Sequence, residues 1–228
     1  MAKKPIIDVI IPAFNEENAV GNVVRDIPKG WVREIIVCNN NSTDKTTEKA
    51  EEAGATVVFQ PLMGYGNACL KGMEHVANKP KAEQPDIVVF IDADYSDYPE
   101  ELIDLVRPII EKDMDMVIGS RALGDLERGS MTPQQVFGNW LATTLMRLFF
   151  KSTFTDLGPF RAIKYKTLLD LNMEDKTYGW TVEMQLKALK KKLTYVEIPV
   201  KYRERIGVSK VSGTVKGSIL AGYKILSW

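Results

Sequence analysis

A chain of 228 residues is long enough for one domain that buries roughly 70% of its unfolded surface. Its 45% hydrophobic and 26% charged residues are the proportions of an ordinary soluble globular protein, and thirty basic against thirty acidic residues leave no net charge to argue for nucleic acid. Two cysteines, Cys38 and Cys69, without paired spacing, exclude a disulfide framework and predict reduced core thiols in a cytosolic protein.

The N-terminal apolar run is short and is interrupted by Asp8, which predicts neither a signal peptide nor a membrane span. No uncharged apolar stretch reaches about 18 residues, so no spanning helix is expected. Residues 6–11, 34–38, 56–59, 87–91 and 116–118 are short β-rich runs, apolar almost throughout, as parallel strands buried on both faces are. Between them, 16–26, 43–53, 65–77 and 99–112 have helical length and period; Pro99 followed by Glu100 and Glu101 marks a helix start. Strands alternating with helices predict an α/β fold with a mostly parallel central sheet. No linker or repeat interrupts it, so 1–228 reads as a single domain, with 1–121 one half and 122–228 the other.

Beyond Arg121, residues 124–131 read as a flexible loop and 133–151 as a long helix. A turn into a strand follows at 155–163, then helical runs 166–173 and 180–191, a last strand at 195–200, and a basic tail. In the long helix, Val136, Phe137, Trp140, Leu141, Leu145, Leu148 and Phe149 form one apolar stripe, with Gln135, Asn139, Thr143 and Arg147 on the other side. Two settings fit that pattern: a membrane surface, or the chain's own sheet. The run 217–228 adds a second apolar segment ending in Trp228. Partial burial of about six large side chains would contribute about 5 kcal/mol, enough for reversible attachment.

Ligands of open α/β sheets bind beyond the carboxyl ends of the strands, which directs attention to the loops there. Asp92-Ala93-Asp94 follows the apolar run 87–91. Two residues apart at a strand end, both carboxylates can point the same way. A hard divalent cation, Mg²⁺ or Mn²⁺, would relieve their repulsion and leave positions for phosphate oxygens. Charge is distributed to match. Residues 83–127 hold thirteen acids against three bases, whereas 187–224 hold ten bases against two acids, suiting a cation and a phosphate or anionic surface respectively.

The motifs IPAFNEE (11–17), NNNSTDKT (39–46), GYGNA (64–68), DADYSDYPEE (92–101), GSR (119–121), TDLGPFRAI (155–163) and RIGVSK (205–210) occur together and in order. In this the chain resembles family-2 glycosyltransferases of the GT-A fold, in the branch of dolichyl- or polyprenyl-phosphate sugar synthases. The resemblance implies an inverting transfer from a UDP- or GDP-sugar to a polyprenyl phosphate, at the cytoplasmic face of a membrane to which the protein is peripheral. It implies that Pro12, Ala13, Asn15 and Glu16 cradle the nucleotide, that Asn40 and Asp44 lie near base and ribose, and that Gly66 allows close backbone approach. Asp92 would face the nucleotide and Asp94 hold the metal; Arg121, Arg161, Arg205, Ser209 and Lys210 would surround the phosphates.

Two departures stand out. Asn39, Asn40 and Asn41 replace the usual two acids and a glycine, leaving the base open. Ser96-Asp97 replaces Gln-His, which makes Asp97 a third candidate metal contact. An alcohol acceptor needs a general base, for which Asp156 and Glu183 are candidates, both equally readable as structural acids. A lipid phosphate needs cations instead, and Arg161, Arg203, Arg205, Lys210 and Lys216 favour it. Tyr178 and Trp180 suit either an acceptor groove or the core; His75 reads as a packing residue. The alternatives are transfer to another lipid or a soluble acceptor, and a catalytically silent nucleotide-sugar-binding protein. A nucleotidyltransferase would carry a Gly- and Arg-rich loop where this chain has PAFNEE.

Overall fold

The computed structural model describes residues 4–207. A seven-stranded sheet runs through it in the order β3-β2-β1-β4-β6-β5-β7, formed by β1 (Ile7–Ala13), β2 (Glu34–Asn39), β3 (Thr56–Phe59), β4 (Ile87–Phe90), β5 (Met116–Ser120), β6 (Arg161–Lys164) and β7 (Tyr195–Pro199). Five strands form the expected parallel series, and β7 joins β5 in parallel. The exception is β6, antiparallel to both β4 and β5.

All seven residues of β1 are buried, as a central strand covered on both faces requires. Its side chains alternate between two layers. Ile7, Val9 and Ile11 meet Val20, Val23 and Val24 of α1 (Val20–Asp26) and Leu105 and Val106 of α4 (Leu102–Lys112). Ile10, with Ile36, Val88 and Phe90, meets Ala68 and Cys69 of α3 (Tyr65–Ala77) and Trp180 and Met184 of α7 (Trp180–Lys190). Asp8, wholly buried within β1, is balanced by Arg33 (Nε to Oδ1, 3.0 Å) and Lys79 (Nζ to Oδ2, 2.8 Å).

Helix starts differ from the periodic pattern where side chains bind the loop instead. The helix expected at 16–26 begins at Val20, because Glu16 and Glu17 donate their backbone N–H groups to Thr46 and Asp44. The one expected at 43–53 is α2 (Thr46–Glu52). Helix α5 (Pro133–Phe150) starts on a capping box, Thr132 with Gln135, with Pro133 in the first turn. The helix expected at 166–173 is α6 (Tyr165–Leu171). No helix of the described residues is long and apolar enough to cross a membrane.

Candidate donor and metal cleft

The loops after β1, β2, β3, β4 and β5 share the carboxyl edge of the sheet, as does the segment that precedes the antiparallel β6. They enclose a cleft of about 550 Å³. Eight of the expected site residues line it: Pro12, Ala13, Glu16, Asn40, Asp92, Asp94, Arg121 and Arg205. The others lie behind its walls or outside the described residues.

The wall beside β1 and β2 is knitted by side chains. Asn15, with φ of 53°, donates its backbone N–H to Ser42 Oγ and accepts from Thr43 N–H through Oδ1. Asp44 Oδ1 accepts from Thr46 N–H at 3.0 Å and Oδ2 from Glu17 N–H at 3.1 Å. Asn40 donates Nδ2 to the carbonyls of Gln60 and Leu62 and accepts from Gly64 N–H at 2.7 Å. Asn39 is bound to Thr47 and Ser42. Two of the three asparagines therefore shape the loops. Only Asn41 is exposed, with φ of 61°.

Gly66 differs from expectation. A Cβ there would lie 1.9 Å from the Asp175 carbonyl, so the close approach it permits is to the chain's own backbone. Gly66 and Asn67 N–H groups donate to the carbonyls of Thr177 and Lys176, both at 3.0 Å. The backbone at Gly66 and Asn67 is thereby closed against that segment, while Tyr65 and Ala68 of the same turn line the cleft.

Asp92 and Asp94 reach the cleft together. Tyr65 donates its hydroxyl to Asp92 Oδ1 at 2.9 Å. Burial, then the charge of Asp94, push Asp92 up to about 7, with the Tyr65 hydrogen bond and the charges of Arg205 and Arg121 pulling the other way. Asp94 Oδ1 accepts from Ser96 N–H at 3.0 Å and from its hydroxyl at 2.5 Å; Oδ2 is ion-paired with Arg205 Nη2 at 2.5 Å. Two hard carboxylates opening onto one cleft suit a divalent cation shared with a diphosphate. Asp97 is not part of the cleft lining, and among the described residues no three His, Cys, Asp or Glu side chains converge to hold a metal. Its two oxygens are buried without a hydrogen-bond partner among those residues. Burial, reinforced by Asp92, raises it well above the usual carboxylate range and favours the neutral acid.

The basic residues divide by role. Arg121 lines the cleft but is clamped to Asp156 by three hydrogen bonds: Nε to Oδ2 (2.8 Å), Nη2 to Oδ1 (2.7 Å) and backbone N–H to Oδ2 (2.8 Å). Its guanidinium also sits over the Tyr202 ring at 5.0 Å. Burial would raise Asp156, but the Arg121 charge and hydrogen bonds outweigh it and hold the carboxyl below its ordinary value. Arg161 does not reach the cleft surface. It is wholly buried in β6 and donates to the carbonyls of Leu157, Gly158 and Thr181, which organises the turn before the strand. Burial lowers its guanidinium to about 10.

Arg203, counted among the phosphate-holding cations, lies over Tyr95 (3.5 Å) and Tyr98 (4.2 Å) and donates to the Tyr95 and Asp97 carbonyls. Glu183 is paired with Lys187 at 2.8 Å and accepts from Glu174 and Asp175 N–H groups. Both acids weighed as general bases are thus engaged in ion pairs. Ser209, Lys210 and Lys216 lie outside the described residues.

Helix α5 forms the outer wall through Gln134, Gln135, Gly138 and Asn139. Asn139 braces the turn before β6, donating to the Thr155 carbonyl (3.0 Å) and accepting from Leu157 N–H (2.8 Å). This face buries Ala142, Thr143 and Met146, while Val136, Phe137, Trp140, Leu148 and Phe149 face outward, each more than half exposed. Five of the seven stripe residues are therefore turned outward, while Leu145 packs against the core and Leu141 is half-buried. Tyr178 lines the cleft, whereas Trp180 is buried edge-on to Phe90 at 5.8 Å. His75 bonds Glu34 at 3.1 Å, far from the cleft.

Tyr65, Asn139 and Tyr202 escaped sequence reasoning. Tyr65 lies inside the GYGNA motif, but nothing in one sequence reveals that its hydroxyl meets Asp92. Asn139 reads simply as a polar position on a helix.

Residues 8–171 match the family model described as Glycosyl transferase family 2. An uncharacterised glycosyltransferase of Mycobacterium bovis is 34% identical over 218 residues, covering 94% of both chains. A dolichyl-phosphate hexose transferase of Haloferax volcanii is 30% identical over 220 residues, 93% of this chain and 89% of that one. Among solved structures, glucosyl-3-phosphoglycerate synthase from Mycobacterium tuberculosis in complex with phosphoglyceric acid superposes with a TM-score of 0.73 at 22% identity. That match covers 98% of this chain and 79% of the other, and it shares the GT-A fold. The chain belongs to glycosyltransferase family 2.

Proposed function

We propose that this glycosyltransferase transfers a hexosyl group, with inversion, from a UDP- or GDP-sugar to a polyprenyl phosphate at a membrane surface. Asp94 and Asp92 would hold Mg²⁺ or Mn²⁺, which when bound neutralises charge on the departing diphosphate. Residues 1–121 form the donor half, with the nucleotide against Pro12, Ala13 and Glu16, and residues 122–228 the acceptor half. Arg121 and Arg205, which line the cleft, would face the phosphates. The Haloferax relative is named for a dolichyl-phosphate acceptor, and a solved neighbour was crystallised with Mn²⁺ and UDP; both support the reading.

One observation carries the choice of acceptor. Asp156 and Glu183 are each locked to a cation, which favours an acceptor oxygen already ionised, as a phosphate is, over an alcohol that must lose a proton. The outward apolar face of α5, on the helix that walls the cleft, suits a substrate delivered from a bilayer. A second reading, a soluble phosphorylated acceptor, draws on the neighbour crystallised with phosphoglyceric acid.

Incubation of the protein with labelled UDP- and GDP-sugars, Mn²⁺ and vesicles containing undecaprenyl phosphate tests the proposal. The expected product is extracted into organic solvent and is labile to mild acid. Label that stays in the aqueous phase on a phosphorylated small molecule would overturn the lipid acceptor.

A further inference from the structure

Residues 200–206 return from β7 across the acidic pair, and the backbone is tied down on both sides of Arg205. Arg203 donates its N–H to the Ser96 carbonyl at 2.9 Å, and Ile206 donates to the Asp94 carbonyl at 3.0 Å. The stacking of Arg203 on Tyr95 and Tyr98 fixes the same segment. Between these anchors the Arg205 side chain, 21% exposed, pairs with Asp94 Oδ2 at 2.5 Å. The other Asp94 oxygen is held by buried Ser96. Both oxygens of the central carboxylate are therefore engaged, and of the two side chains that meet it among the described residues, Arg205 stands on the cleft wall and Ser96 does not.

We propose that Arg205 is a resident counter-cation: it occupies Asp94 while the cleft lacks donor and passes to the diphosphate when metal and nucleotide enter together. The proposal rests on the donor reading above. A cation beside Asp94 relieves its repulsion with Asp92. A metal ion arriving alone must break a charge-assisted pair and leave a guanidinium beside a divalent charge. A metal ion arriving with a diphosphate gives that guanidinium a bidentate anion in exchange. The anchors at 203 and 206 allow the side chain to move while the backbone stays. Metal and nucleotide should therefore each strengthen the other's binding, by the same factor.

Mn²⁺ titrations followed by electron paramagnetic resonance, with and without UDP or GDP, test this on wild type, Arg205→Gln and Arg205→Lys. Arg205→Gln should bind Mn²⁺ alone about tenfold more tightly than wild type, with the nucleotide-induced gain reduced by about tenfold, the scale of a charge-assisted hydrogen bond. Arg205→Lys, which keeps the charge, should stay near wild type for Mn²⁺ alone and confirms that the position tolerates change. Unchanged or weaker Mn²⁺ binding in Arg205→Gln, while nucleotide still promotes metal binding to wild type, overturns the exchange and leaves the donor reading standing. Wild type that binds Mn²⁺ no better with either nucleotide overturns both.

Discussion

Tyr65 and Asp92 are 27 positions apart in sequence and 2.9 Å apart through the hydroxyl. Because burial pushes Asp92 towards neutrality, that hydrogen bond helps keep it an anion. Tyr65→Phe should leave the melting temperature nearly unchanged and lower kcat/KM about fivefold, in line with about 1 kcal/mol for one hydrogen bond. The Arg121–Asp156 clamp answers to stability instead. Arg121→Ala strands a buried carboxylate and should cost about 3–5 kcal/mol in urea unfolding. Its pH dependence follows from sign: Asp156 is held below its unfolded value, so its contribution is complete above the ordinary aspartate range near pH 4 and disappears as pH falls through the lower folded value. Wild-type stability should therefore drop below about pH 4, with a smaller drop in Arg121→Ala.

Elements record where sequence reasoning reaches and where it stops. The strands were legible because β1, β2 and β4 are apolar on both faces, and the acidic pair because Asp92 and Asp94 end such a strand. The start of α1 was not, since the bonds from Glu16 and Glu17 to Thr46 and Asp44 span about 30 residues of chain. Gly66 was legible as a close approach, but its partner, the Asp175 carbonyl, was not. Gly66→Ala should destabilise the fold by about 2–3 kcal/mol, as overpacking against backbone does. In α5 the stripe was legible and its division was not: five of its residues face outward while Leu145 packs on the core, and the contacts that orient the helix come from Thr155 and Leu157. Replacing Val136, Phe137 and Trp140 together by serine should abolish flotation with anionic vesicles without lowering the melting temperature. A lower melting temperature would show that these side chains stabilise the fold itself.

At the scale of the molecule, the acidic middle and basic end of the sequence meet across one cleft, for Arg205 lies on Asp94 and Arg203 on the loop that carries it. The sheet makes the same junction through β6. Neither β4 nor β5 touches the other; each bonds to β6, and β5 finds its second neighbour in β7. Residues 1–121 taken alone, the half proposed to hold the donor, therefore leave β5 without a hydrogen-bonding neighbour and should lack a cooperative unfolding transition, as calorimetry would reveal. During synthesis the ribosome must deliver some forty further residues after β5 before a mate for it emerges. Until then the nascent polypeptide carries an apolar ribbon with two bare edges, the kind of surface to which chaperones bind and from which aggregates grow. For this enzyme, translation pace through that interval should influence yield more than the identity of any surface residue.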